Sequence, residues 1–217
     1  MRTIGTRKGS GAYRVAHSLV RHELVLLASL VRWVARWPHG VREEGARAYG
    51  YARGQGAMMF GFGFVCVVET VTVSVLLRDF PLVHSVFLFL DLYTVLIVAG
   101  LHAASVTRPH VLTGTTLRLR RFATVDLRVP LSAISSVRRE LRTTHEKRDG
   151  ELNMEVGSQT TVTMELAEPV AYLTFFGRRR EVRLVRFHAD ESEQLVREMR
   201  EFTPERSAPS PLPARPA

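Results

Sequence analysis

Two carboxylates stand where a carboxylate is costly. Glu69 lies in the run GAMMFGFGFVCVVETVTVSVLL, from Gly56 to Leu77, and Asp91 in LVHSVFLFLDLYTVLIVAGLHAASV, from Leu82 to Val106; neither run holds a lysine or an arginine. Glu69 comes nine residues before Arg78 and Asp91 ten residues after Pro81. At a helical rise of 1.5 Å per residue, both sit about 13 to 15 Å from the turn between the runs. In hydrocarbon an acid at that depth costs about 2.5 kcal/mol or more, so it is met protonated, paired or turned inward. Two chemistries fit. The acids form a proton- or cation-responsive site or grip a polar group on another subunit, or they bond to Thr70, Thr72, Ser74, Tyr93 or Thr94 and help helices associate. Two spans enclose a transport path only as an oligomer.

Guanidinium groups supply the other chemistry. Arg118, Arg120 and Arg121 fall on one expected strand and Arg178, Arg179 and Arg180 in one expected turn. Near a bilayer such groups can meet anionic headgroups, each contributing about 1 kcal/mol. Outward arginines on an exposed sheet face account for the same residues. The formal charge of +9 also raises nucleic acid as a partner. Against it, Glu140, Glu146, Asp149, Glu151, Glu155, Glu165 and Glu168 interleave with the basic residues and no aromatic stacking platform accompanies them.

Other reactive types are sparse. Cys66 is the single cysteine, so neither an internal disulfide nor a multi-thiolate metal site is available, and it fits as a small packing residue in an apolar run. His84 and His102 lie near the ends of the second run, and His110, His145 and His188 on separate later elements, without metal-ligand spacing. Gly56, Gly61 and Gly63 match no phosphate-binding or dinucleotide spacing and instead permit close helix packing. No G-x-S-x-G, H-E-x-x-H or paired C-x-x-C occurs. The expectation is a non-catalytic protein with no metal and no cofactor.

The elements that must position these groups follow from hydropathy. The near-zero mean hydropathy of the 217 residues averages an apolar middle and a charged C-terminal region. Each apolar run meets the roughly 20 residues needed to cross a bilayer core of about 30 Å. Only Arg78-Asp79-Phe80-Pro81 separates them, so the spans, about 56–77 and 82–106, form a transmembrane hairpin over 55–106 with both flanks on one side. Ten basic residues precede the first span, Arg2, Arg7, Lys8, Arg14, Arg21, Arg32, Arg36, Arg42, Arg47 and Arg53, against Glu23, Glu43 and Glu44. The positive-inside rule then places both termini in the cytoplasm and the protein in the cell (inner) membrane. Leu24 to Val31 is too short and too poorly flanked for a cleavable signal peptide.

Residues 1–54 are expected to be a cytoplasmic arm carrying an amphipathic helix over about 13–37. Arg14, Arg21, Arg32 and Arg36 fall within an arc of about 60°, opposite Leu19, Leu26, Leu27, Leu30, Trp33, Val34 and Trp37. Such a helix lies in the membrane interface, or packs its apolar face on the protein itself; Pro38 and Gly40 end it. Glu23 projects into the apolar side, which favours a protein partner for it.

After the second span the texture becomes that of strands. HVLTGTTLRLRRFATVDLRVPLSAISSVRREL has short β-branched runs and alternation, and further antiparallel strands are expected at Glu151–Val156, Thr161–Glu165, Val170–Phe175 and Glu181–Phe187. Uneven alternation in the last suggests a bulge or a two-sided strand. From Asp190 the period turns helical, with Leu195, Val196, Met199 and Phe202 on one face, and the Pro- and Ser-rich residues 203–217 read as a disordered tail. Lysine only at Lys8 and Lys147 and a single asparagine, Asn153, point to a GC-rich bacterial genome.

The run RPHVLTGTTLRLRRFATVDLRVPLSAISSVRREL, closing later in FGRRREVRLVRFHADESEQLVREMR, resembles the bacterial pleckstrin-homology-like (PH-like) membrane proteins, of uncharacterised actinobacterial type. The likeness covers about Pro109 to Phe202, and through the preceding runs reaches about Gly56. It implies a cytoplasmic PH-like domain over 107–202, an antiparallel β roll capped by the C-terminal α-helix, and no catalytic signature. The expected whole is an α+β membrane protein that acts as a binding or scaffold module. Its expected partners are membrane lipids and a protein partner or homo-oligomer, with no nucleic acid.

Overall fold

The structure, a computed structural model, describes residues 9–37, 45–146 and 148–202. The expected helix stop at Pro38 and Gly40 and the expected tail 203–217 lie outside these residues. In chain order come helix α1 (Gly9–Val34), strand β1 (Arg47–Tyr49), helices α2 (Gly56–Leu76) and α3 (Pro81–Thr107), strands β2 (His110–Leu112), β3 (Thr116–Arg121), β4 (Val125–Pro130), β5 (Ile134–Arg142), β6 (Glu151–Met154), β7 (Thr160–Leu173) and β8 (Arg179–Phe187), and helix α4 (Ser192–Phe202). The protein is α+β, with four α-helices and two sheets among the described residues.

The stretches Arg53–Leu76 and Pro81–Thr107 are both long and apolar enough to cross a membrane. They lie side by side: Ser74 Oγ and His84 Nε2 are 2.7 Å apart near the connecting turn, and a Cβ added to Gly63 would stand 3.9 Å from Val98 Cγ1. Pro81 opens α3 at a position where a missing N–H costs nothing.

Helix α1 packs on α3. Leu26 sits against Gly100, where an added Cβ would come within 3.2 Å of the leucine Cβ, and the Trp33 and His102 rings meet edge to face at 5.6 Å. Glu23 accepts a 2.9 Å hydrogen bond from the Tyr93 hydroxyl, the protein partner its place on the apolar side calls for. One stripe of α1 is therefore packed, while Val20, Leu24, Leu27, Val31 and Val34 stay exposed along another.

The strands form two four-stranded sheets, ordered β1-β2-β3-β4 and β5-β7-β8-β6. Their facing sides and α4 enclose one core containing Leu112, Leu117, Leu119, Leu127, Val162, Met164, Val185, Phe187, Leu195 and Met199. Four features differ from the strand pattern read from sequence. Thr161–Glu165 and Val170–Phe175 are one strand, β7, whose pairing with β8 slips between Glu165 and Val170. Pro169 lies in that slip, where a residue without an N–H is tolerated, so the irregularity expected of the last strand belongs to its neighbour. β6 runs parallel to β8 rather than antiparallel. Phe202 is exposed, off the buried face that holds Leu195, Val196 and Met199.

The fourth difference redraws the boundary of the β-rich domain. β1, from the arm expected to stand apart, pairs antiparallel with β2, placing Tyr49 opposite His110. Tyr49 and Tyr51 are 3% and 1% exposed. Asp190 N–H donates to Gly50 O at 2.9 Å, Arg53 pairs with Glu191 at 2.5 Å, and Glu198 of α4 binds both Arg47, at 2.5 Å, and the Tyr49 hydroxyl. The strand just before α2 and the strand just after α3 thus belong to one sheet.

Candidate functional site

A cleft of about 890 Å3 opens where α3 meets the domain, walled by α1, the β3–β4 turn and the end of the β7–β8 hairpin. Antiparallel register builds its floor. Arg118 pairs with Arg128 and Arg120 with Asp126, on the sheet face opposite the core residues Leu117, Leu119, Leu127 and Val129. Asp126 receives two bonds from Arg118, at 2.7 and 2.6 Å, and one from Arg108 at 3.3 Å. Burial acts to raise the Asp126 pKa, but the Arg118 hydrogen bonds and the charges of Arg118, Arg120 and Arg108 outweigh it and hold the carboxyl below its ordinary range.

Arg108 is the first residue after α3 and is nearly buried. Its Nη1 donates to Phe122 O at 2.6 Å, and Phe122 N–H donates to the Tyr51 hydroxyl at 2.9 Å. Phe122 has a φ of 47°, unusual for a bulky residue, and these two bonds to its peptide groups hold it there. The turn beside the cleft is therefore fastened to residues that flank both apolar helices. Burial pushes the Tyr51 phenol up to about 12 and draws the Arg108 pKa down against the pull of Asp126.

The α1 wall contributes Tyr13, His17, Ser18, Arg21, His22 and Val25. Ser18 Oγ donates to Phe175 O, and the His22 and Phe175 rings meet edge to face at 4.9 Å, fixing α1 to the β7–β8 turn. Burial lowers the His22 pKa in spite of the adjacent Glu23 charge. Among the described residues the cleft is lined by Arg21, Arg108, Arg118, Arg128 and Arg179 with two histidines, against the single carboxylate of Asp126. A concave surface so unbalanced focuses positive potential and suits an anion.

The arginines singled out from sequence separate here. Arg118 is in the cleft, tied to Asp126. Arg120 corrects the expectation of an outward strand: it is 0% exposed, and burial, with the Arg118 charge, lowers its pKa to about 10. Arg121 lies over the Phe122 ring at 5.7 Å. Arg178, Arg179 and Arg180 are exposed, and Arg179 lines the cleft, 3.8 Å from Glu181. Of the interfacial-helix residues, Arg14, Arg21, Arg32 and Trp33 fall on α1, and Arg36 and Trp37 just beyond it. Glu69 is exposed on α2, whereas Asp91 is half-buried.

Asp126 and Arg128 were not among the residues expected to act. Their signal was present: closing LRLRR and VDLRV across the turn residues Phe122 to Thr124 sets Asp126 diagonally across from Arg118. The α1 wall is a tertiary contact with no such local signature. No protein-family model matches the chain, and no significant similarity to a curated protein or a solved structure is found.

Proposed function

We propose that the chain is a membrane-anchored, non-catalytic binding or scaffold protein. In this reading α2 and α3 cross the inner membrane as a hairpin, and both flanks lie in the cytoplasm. A PH-like domain there docks anionic lipid or a protein partner at the membrane face. The observation that carries it is the pairing of β1 with β2, which requires the segments on either side of the two apolar helices to share a compartment. The excess of arginine ahead of α2 then favours the cytoplasm. Two four-stranded sheets closed by a C-terminal helix support the PH-like likeness.

Topology is tested with single cysteines in a Cys66→Ser background. Asp79→Cys, in the turn between α2 and α3, is expected to react with a membrane-impermeant maleimide in intact cells. Ser135→Cys, exposed on β5, is expected to react only after permeabilisation. Equal labelling of both positions in intact cells, or release of the wild-type chain by carbonate, removes the reading.

A second reading is an oligomeric membrane component with Glu69 and Asp91 as a proton- or cation-responsive pair. It is favoured by the exposure of Glu69 on an apolar helix, where a carboxylate facing lipid is costly, and by the buried Asp91 Oδ2, which has no hydrogen-bond partner among the described residues. Under it Glu69→Gln combined with Asp91→Asn weakens self-association in native mass spectra; unchanged assembly excludes it.

A further inference from the structure

We propose that the cleft between α1, the β3–β4 turn and the β7–β8 hairpin seats the headgroup of one anionic glycerophospholipid, drawn from the leaflet that the domain faces. This assignment rests on the membrane-anchored reading above and names the ligand of its binding site.

Charge identifies the ligand as an anion. Among the described residues the single lining carboxylate is engaged by Arg118 and Arg108, so Arg21 and Arg128 add positive charge that no other lining carboxylate offsets, and Arg179, 3.8 Å from Glu181, adds a third guanidinium. Guanidinium forks match phosphate oxygens in pairs, and three placed around one concavity suit a phosphodiester.

Position and greasiness select a lipid over a free anion. Arg108 follows the last residue of α3 directly and lines the cleft, so with α3 in a bilayer the cleft begins at the level of the phosphates. Val25, Ala171, Tyr172, Leu173 and Phe175 line the same space, an amphiphilic lining that a free phosphate does not need. At the hairpin end Leu173 and Phe176 are 55% and 56% exposed, and α1 exposes Leu24, Leu27, Val31 and Val34. These side chains offer the acyl part of a bound lipid apolar surface.

The test uses the full-length protein in nanodiscs of phosphatidylcholine and phosphatidylglycerol in equal parts, with lipids retained after detergent extraction counted by native mass spectrometry. One phosphatidylglycerol per chain is expected to be retained in preference to phosphatidylcholine. The combined variant Arg21→Gln, Arg128→Gln, Arg179→Gln is expected to bind it about a hundredfold more weakly. Ala171→Trp, which puts bulk into the cleft wall and leaves its charge intact, should give a comparable loss. Arg139→Gln with Arg197→Gln, altering the arginines near α4, should leave retention unchanged. Glycerol 3-phosphate should not displace the lipid. Retention without preference, equal binding by the triple variant, an equal loss in the Arg139 and Arg197 variant, or displacement by glycerol 3-phosphate each overturns the proposal. Carbonate washing of the same preparations separates the two levels: wild-type chain freed from the bilayer refutes the membrane anchor, whereas a retained chain without preferred lipid refutes only the headgroup.

Discussion

Residues 108–202, produced without the segment ahead of α2, are expected to lose cooperative folding at room temperature. That fragment lacks Tyr49 and Tyr51, both nearly buried. Deleting a large buried aromatic side chain costs about 3–5 kcal/mol, and a domain's whole stability is about 5–15 kcal/mol. Two such losses remove most of it. The fragment also exposes the edge of β2, leaves Glu198, 4% exposed, without Tyr49 and Arg47, and frees the Phe122 N–H. Restoring 45–53 through a short flexible linker in place of 54–107 should bring back a sharp thermal transition by circular dichroism. A melt for 108–202 within about 5 °C of that of the joined domain contradicts the role given to β1.

The joined domain is also expected to lose about 3 kcal/mol of stability as the pH falls from 6.5 to 4. His110 is the source. Its Nδ1 accepts the Arg120 N–H at 3.1 Å and its Nε2 lies 2.9 Å from His188 O, so the ring fits as a neutral tautomer with the proton on Nε2. Burial, opposed only by the bond to His188 O, lowers its pKa from 6.5 to about 4. The folded-state pKa is thus depressed, and the unfolded chain binds a proton first on acidification. The stabilisation is complete above pH 6.5 and lost progressively toward 4. His188, lowered by burial, acts in the same direction, whereas Asp126 and Glu198, both lowered, lose their contributions at more acid pH. Urea midpoints measured across this range should therefore fall. His110→Gln should be less stable at pH 7.5 and show most of that slope removed; an unaltered slope points to another group.

Legibility in the sequence followed the range of the interaction. The apolar runs and the alternating strands announce themselves, because burial imprints a period on contiguous residues. β1 did not, since Arg47, Ala48 and Tyr49 are too few to carry a period and their partner lies beyond two helices. Ala167, Glu168 and Pro169 read as a break between strands because exposure and a proline mimic a turn, although β7 passes through them. At the candidate site, the arginine clusters were visible as composition, but which of them is buried depends on what covers each sheet face. Arg120 and Arg118 share one face of β3, yet one is buried and the other lines an open cleft.

The placement of β1 also orders events at the ribosome. Tyr49 is polymerised 149 residues before its partner Glu198. At about 5–20 residues per second that interval is about 7 to 30 s. Tyr51 meets Phe122 only 71 residues on, whereas the Tyr49 hydroxyl waits for helix α4, which completes the structure that β1 begins.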